Sequence, residues 1–282
     1  LARTWGGSIE PLNRAKLAEA TFVFLAVPEA AAAGLAPELL DAGVKGIDIS
    51  GAFRITDDAT RAKWYPATTL LPEHVAYGLV EHNRLAIEKA SLVACPGCYP
   101  TAALLALTPL VQAGLIDLTR DVIVDAKSGI SGAGRTASER THFSENHGSM
   151  AAYGVLGHRH VAEMEQALGC EVTFVPHLVP LDRGILETIY VRVHEGTTAE
   201  LIGETLGRAY QHAPFVRLTG DALPEIKHVA RTNFCDIGWK FDAATRRLVL
   251  VVCIDNLVKG AAGQAIQNLN VICGFDERTG LR

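Results

Sequence analysis

The run TFVFLAVPEAAAAGLAPELLDAGVKGIDIS, residues 21–50, decides the fold class. Its opening, Thr21 to Pro28, is short, apolar and rich in aromatic and branched residues, which predicts a buried strand. Ala30 to Ala42 is a helix-forming stretch closed by Gly43, and Val44 to Ser50 reads as a second strand. Strand, helix and strand with short joints make a βαβ unit, which requires a parallel sheet with a right-handed crossover. The first hundred residues therefore read as an α/β Rossmann-type dinucleotide-binding domain.

Such a domain ordinarily opens with a strand, a glycine-rich turn and a helix whose N-terminus holds the pyrophosphate. The first twenty residues contain only TWGGS, with no strong strand before it and no periodic helix after it. Either this is not a dinucleotide fold or the domain lacks its first βα unit, and the abrupt βαβ signal at Thr21 favours the second. Further along, EVTFVP, ETIYVRV, FCDIGWKF and RRLVLVVCI have strand character, with Asp242 to Thr245 as a hairpin turn. One clear helix, about 198–210, intervenes. Many strands and few helices predict an α+β second domain with a mixed sheet. KGAAGQAIQNLNVICG is a closing helix that stops at Gly274.

Composition narrows the functional classes. The chain has 282 residues, 49% hydrophobic and 20% charged, with a net charge of −5. No basic footprint is present, so nucleic acid is not an expected partner. No apolar run approaches the roughly 18 residues of a membrane span, and LARTWGG lacks the form of a signal peptide. Six cysteines in a chain this long are too sparse for a disulfide scaffold, and a reducing cytoplasm fits best.

Chemistry concentrates in LVACPGCYPTAALLALTPL, residues 92–110. Leu92 to Ala94 ends a strand, Pro96-Gly97 makes a turn, and Pro100 fits the first turn of a helix. Cys98 thus falls at a helix N-terminus, where unpaired N–H groups and the macrodipole favour thiolate, a nucleophile for a carbonyl. The same CxxC is compatible with a Cys95/Cys98 dithiol or with half a zinc site, although zinc needs two more ligands with no obvious source. For proton transfer the best candidates are His158 and His160 of GHRH. At i and i+2 they point to opposite sides if extended, so one is expected to face the thiol.

SGISGAGR, residues 128–135, follows the strand-like VIVDA. Ser128, Gly129, Ser131, Gly132 and Gly134 make a loop whose composition suits a phosphate or a cofactor, and Arg135 adds charge. Arg54 in SGAFR and Arg183 in PLDRG are candidates to hold an anionic substrate bidentately.

Taken together, PGCYPTAALLAL, KSGISGAGR, YGVLGHRH, FVPHLVPLDRGILET and DNLVKGAAGQAIQNLN resemble the successive blocks of the N-acetyl-gamma-glutamyl-phosphate reductase family, in the family's order from Thr21 to the C-terminus. The resemblance implies an aspartate-semialdehyde dehydrogenase-like architecture. Residues 1–97 and 258–282 would form the NADP-binding domain, and residues 98–257 the catalytic and oligomerisation domain. It implies NADPH-dependent reduction of an acyl phosphate to an aldehyde in arginine biosynthesis. Cys98 would be the nucleophile, with His160 as acid–base and His158 the alternative. Pro28, the Ser131–Gly134 loop and Asn256 would lie on the cofactor, and a homodimer or homotetramer is expected. The chain departs from the family in lacking the opening G-x-x-G-Y fingerprint and in carrying Cys95 where many members have Asn or an apolar residue. Two rivals stay open: a reductase of carrier-bound aminoadipyl phosphate, and a thiol–disulfide oxidoreductase.

Overall fold

The computed structural model describes residues 6–134 and 136–282. Thr4 and Trp5 of TWGGS, and Arg135, lie outside the described residues. The chain builds two sheets joined by one buried helix. The first sheet takes β1 (Phe22–Leu25), β2 (Lys45–Asp48), β3 (Val75–Tyr77) and β4 (Leu92–Ala94), all parallel and in the spatial order β1-β2-β4-β3. Helix α1 (Glu29–Asp41) is the crossover between β1 and β2, as the sequence predicts. It buries Ala32, Leu35, Ala36 and Leu39 against the sheet, the spacing of one helical face. Helix α2 (Asp58–Trp64) and helix α3 (Val80–Lys89) complete the connections. Among the described residues no glycine-rich strand-to-helix turn precedes β1, which is an edge strand.

Because all four strands are parallel, β1, β2 and β4 end at one edge of the sheet. From that edge β4 runs through Cys95-Pro96-Gly97 directly into helix α4 (Cys98–Gln112). Every residue from Leu92 to Leu110 is buried except Cys98, which is half-buried. A helix apolar on all sides must be enclosed on all sides. The enclosing surface is the second sheet with helix α5 (His160–Leu168) and helix α6 (Ala199–Tyr210).

That second sheet has seven strands: β5 (Val122–Gly129), β6 (Ala151–Ala152), β7 (Val172–Val179), β8 (Ile185–Arg192), β9 (Val216–Gly220), β10 (Cys235–Asp242) and β11 (Arg247–Ile254). Their order is β6-β7-β5-β8-β11-β10-β9. The pairs β5/β7 and β9/β10 are parallel and the others antiparallel, so the sheet is mixed, as expected. Alternation puts Val122, Val124 and Ala126 of β5 and Ile185, Ile189 and Val191 of β8 on the face that packs α4. Asp242–Thr245 is the β10–β11 hairpin turn that the sequence indicates. After β11 a π-helical turn, Val258–Ala262, leads into α7 (Gly263–Ile272), which returns to the first sheet and packs on α3 and β2. There Gln264 Nε2 and Asn268 Nδ2 both donate to Gly78 O, at 2.6 and 2.8 Å.

Since α4 serves both sheets, truncation inside it should be felt globally. Leu105 is fully buried. Leu105→Ala is expected to cost about 2–5 kcal/mol, read as a lower midpoint of urea unfolding.

Candidate active site

Cys98 is the first residue of α4, with Gly97 as N-cap. The Tyr99 backbone N–H is directed at the thiol and favours its thiolate, as the helix-end argument expects. Burial is the larger influence, however, and it pushes the thiol up to about 12. This runs against the expectation of a favoured thiolate: the helix start lowers the cost of the anion without overcoming desolvation, and the Cys98 thiol is held above its ordinary range.

The two histidines lie together, contrary to the opposite-sides expectation. The chain is not extended at GHRH: helix α5 begins at His160, and the His160 N–H donates to His158 Nδ1 at 3.2 Å. Their rings stand 4.7 Å apart between centroids, both edge-on to Tyr99 at 5.8 and 5.9 Å. The buried His160 ring lies directly over Gly97, where an added Cβ would come within 2.5 Å of Nε2. Glycine is required here because only a bare Cα admits the imidazole. Burial drives His158 down to about 4, helped by the Arg159 charge. Burial, with the neighbouring His158, holds His160 well below the ordinary histidine range. Both shifts favour the neutral imidazole.

A buried carboxylate that the sequence reading did not single out organises this corner. Glu163, one turn into α5, accepts from Gly97 N–H at 2.9 Å, from Tyr77 Oη at 2.8 Å and from Arg54 Nη1 at 3.0 Å. Its spacing from His160, i+3 on a helix, was the available signal. Tyr99 was also missed: its hydroxyl meets that of Tyr153 at 3.0 Å, beside Phe174.

Arg54 is not at a surface anion pocket. It is buried and bonded to Glu163 and to Ile49 O at 3.1 Å. Burial opposes its charge, but Glu163 outweighs that and holds it protonated. Arg183 keeps some exposure and pairs with buried Asp255 at 3.1 Å. Ser128 and Gly129 fall within β5 rather than in a loop. Ser128 is buried with its hydroxyl on Gly129 O, and Gly129 packs on the Arg183 backbone. The loop proper is the 3-10 turn Ile130–Ala133. Gly132 sits over Ser128 Oγ, and Gly134, at φ +85°, faces open space. Asn256 donates to Ser131 Oγ at 3.0 Å and accepts from Gly184 N–H at 2.7 Å, so its amide ties two loops together. Gly260 of the π-helical turn abuts Cys98, since a Cβ there would lie 2.7 Å from the Cys98 Cβ. Pro28 is exposed at the start of α1. Cys95 is buried with Ile47 and Ala265, away from the packing around Cys98, and its sulfur lies 3.8 Å from Asn268 Nδ2.

A thiol at the outlet of a parallel sheet, backed by neutral histidines, defines a class that the comparisons identify. Residues 98–256 match the model of the semialdehyde dehydrogenase dimerisation domain, and residues 5–90 that of the semialdehyde dehydrogenase NAD binding domain. Aspartate semialdehyde dehydrogenase II from Vibrio cholerae has the same fold, with a TM-score of 0.72 at 19% identity over 92% of this chain and 81% of that one. The enzyme with NADP from Candida albicans gives 0.67 at 14% identity, over 96% of this chain and 85% of that one. Within that class, the N-acetyl-gamma-glutamyl-phosphate reductase of Shouchella clausii is 46% identical over 94% of this chain and 79% of its own length. That of Pelotomaculum thermopropionicum is 47% identical, over 96% and 81%. This chain belongs to the N-acetyl-gamma-glutamyl-phosphate reductase family.

Two outcomes are expected. Gly97→Ala displaces the His160 ring and lowers kcat by about 10²-fold, measured beside a thermal melt that reports an intact fold. Iodoacetamide labelling of Cys98 in the free protein accelerates from pH 6 to pH 9 with no plateau, because a thiol raised by burial gains thiolate only as pH rises.

Proposed function

We infer that this chain reduces N-acetyl-gamma-glutamyl phosphate to N-acetyl-glutamate 5-semialdehyde with NADPH, through a thioester on Cys98. The observation that carries the reading is the one opening in the buried run from Leu92 to Leu110: the Cys98 thiol, next in the chain to the Gly97 that seats the His160 ring.

The NADP site is assigned to the carboxyl edge of the first sheet, where α/β sheets hold such ligands. Two features suit it. Helix α1 starts at Pro28 with no side-chain cap, which leaves first-turn amides to a phosphate. Gly134 opens the Ser131–Gly134 turn to a flat ligand. Asn256 holds that turn through Ser131 and is assigned to the nicotinamide end. Bound there, NADPH supplies the hydride that brings the thioester to the aldehyde level.

The chain's own residues handle sulfur and protons. As Cys98 Sγ bonds to the acyl carbon, the bond to the phosphate oxygen breaks and the thiol proton passes to the neutral His160 imidazole. His158 Nδ1 is already engaged by the His160 N–H, which favours His160 for this transfer. N–H groups at the start of α4 stabilise the oxyanion. When the C–S bond of the thiohemiacetal breaks, the sulfur recovers a proton from His160. Arg159, exposed beside the histidines and stacked on Tyr65 at 5.7 Å, replaces Arg54 as the cation for the departing phosphate. Arg183 is placed at the rim.

Residues 1–97 with 258–282 are assigned to cofactor binding and 98–257 to catalysis and assembly, as a homodimer or homotetramer. No helix among the described residues is long and apolar enough to cross a membrane. A cytoplasmic setting suits six free cysteines. A dithiol mechanism is disfavoured because Cys95 is sealed in a different cluster from Cys98. The similarity to the N-acetyl-gamma-glutamyl-phosphate reductases of Shouchella clausii and Pelotomaculum thermopropionicum favours the small substrate over a carrier-bound one.

The test is the reverse reaction, NADP reduction by N-acetyl-glutamate semialdehyde and phosphate. Cys98→Ser is expected to abolish it, and Cys95→Ala to keep most of it. A Ser variant retaining a substantial fraction of turnover would end the thioester reading.

A further inference from the structure

A cavity that none of the steps above uses is separated from the Cys98 corner by Tyr153. It has a volume of about 690 Å³, and Ser138, Arg140, Thr141 and Tyr153 line it together with the carboxylates of Glu139 and Glu145. Tyr153 is the wall shared with the catalytic corner, since its hydroxyl meets that of Tyr99, the residue after Cys98, at 3.0 Å. From the far side the Arg140 guanidinium lies over the Tyr153 ring, 5.6 Å from its centroid. Burial raises the Tyr153 hydroxyl, while Cys98 and Arg140 act on it with opposite signs, so one phenol lies within electrostatic reach of both.

Arg140 differs from the arginines that the sequence singles out. Arg54 is bound to Glu163 and Arg183 to Asp255. Arg140 is exposed, forms no ion pair among the described residues despite the two glutamates near it, and is preorganised on an aromatic face. A guanidinium presented in this way suits a carboxylate, which it engages with two parallel hydrogen bonds.

We propose that Arg140 binds the α-carboxylate of the substrate and so sets the enzyme's choice of acyl chain. The proposal rests on the acyl-phosphate reading and adds the substrate's other end to it. In N-acetyl-gamma-glutamyl phosphate the carboxylate and the acyl phosphate are at opposite ends of the side chain. The phosphate leaves the carbon that Cys98 attacks, so its subsite is at the thiol. A cation across Tyr153 from the thiol faces the remaining anion. On the same wall the Ser138 and Thr141 hydroxyls meet at 3.1 Å and cap the short turn that carries Arg140, which fixes its backbone.

Arg140→Ala and Arg140→Lys are compared with the unaltered protein in the reverse assay, varying semialdehyde and phosphate separately. A third substrate, 4-acetamidobutanal, is the same aldehyde without its carboxylate. For Arg140→Ala, KM for the semialdehyde is expected to rise roughly ten- to hundredfold, with KM for phosphate unchanged. Arg140→Lys should recover part of the loss. On 4-acetamidobutanal the protein and both variants should have equal kcat/KM. A rise in KM for phosphate instead would assign the guanidinium to the leaving group and overturn the proposal. An equal loss on the truncated aldehyde would reduce Arg140 to support of its loop, and no change on either substrate would remove it from the site. Failure of the unaltered protein to turn over semialdehyde and phosphate would count against the acyl-phosphate reading itself, which separates the two.

Discussion

The carboxylate of Glu163 is the interaction on which the catalytic corner depends. It is buried on α5, yet each of its bonds leaves that helix: to the N-cap of α4, to the Tyr77 hydroxyl at the end of β3, and to Arg54 beyond β2. A buried charge is tolerated only when it is paired and hydrogen-bonded, and removing one partner of such a pair costs about 3–5 kcal/mol. The arrangement therefore has little freedom. The turn that presents Cys98, the helix start that presents His160, and the loop after the second strand are held by one group.

The rest of the corner follows from that anchor and from the parallel first sheet. Parallel strands deliver their ends to one edge, so the nucleophile and the proposed cofactor cleft are neighbours by topology. Aromatic edges then fill the space behind the histidines, where Tyr99 and Phe174 keep both rings in apolar surroundings and hence uncharged. The same desolvation raises the thiol. On the proposed mechanism, a site that disfavours charge on sulfur and on imidazole at once couples proton transfer between them to bond formation.

Periodicity and turn chemistry made much of this legible in the amino-acid order. The βαβ unit at residues 21–50, the strand-turn-helix around Cys98, and the Asp242–Thr245 hairpin all follow from local patterns, and the structure has each of them. What local patterns missed is instructive. GHRH reads as a glycine-preceded loop, but α5 starts inside it, and the side-by-side histidines result from that helix. Ser128 and Gly129 look like loop residues by composition, yet β5 extends through both because β7 and β8 flank it and supply pairing. Arg54 has the profile of a solvated or anion-binding arginine, and its burial depends on a glutamate 109 positions away. Partners of that kind belong to the tertiary structure and leave no spacing to read.

One consequence concerns how this protein tolerates change. The helix that starts at Cys98 is also the central wedge of the hydrophobic core, enclosed from its second residue to Leu110. In many enzymes reactive groups sit on loops that drift freely over an indifferent scaffold. Here the sulfur proposed as the nucleophile is the half-buried tip of the scaffold itself. Sequence drift in the core and drift in catalytic performance are therefore coupled. Warming or a cavity that loosens the wedge reaches the thiol before the chain unfolds, so loss of turnover should be the earliest symptom of a weakened core.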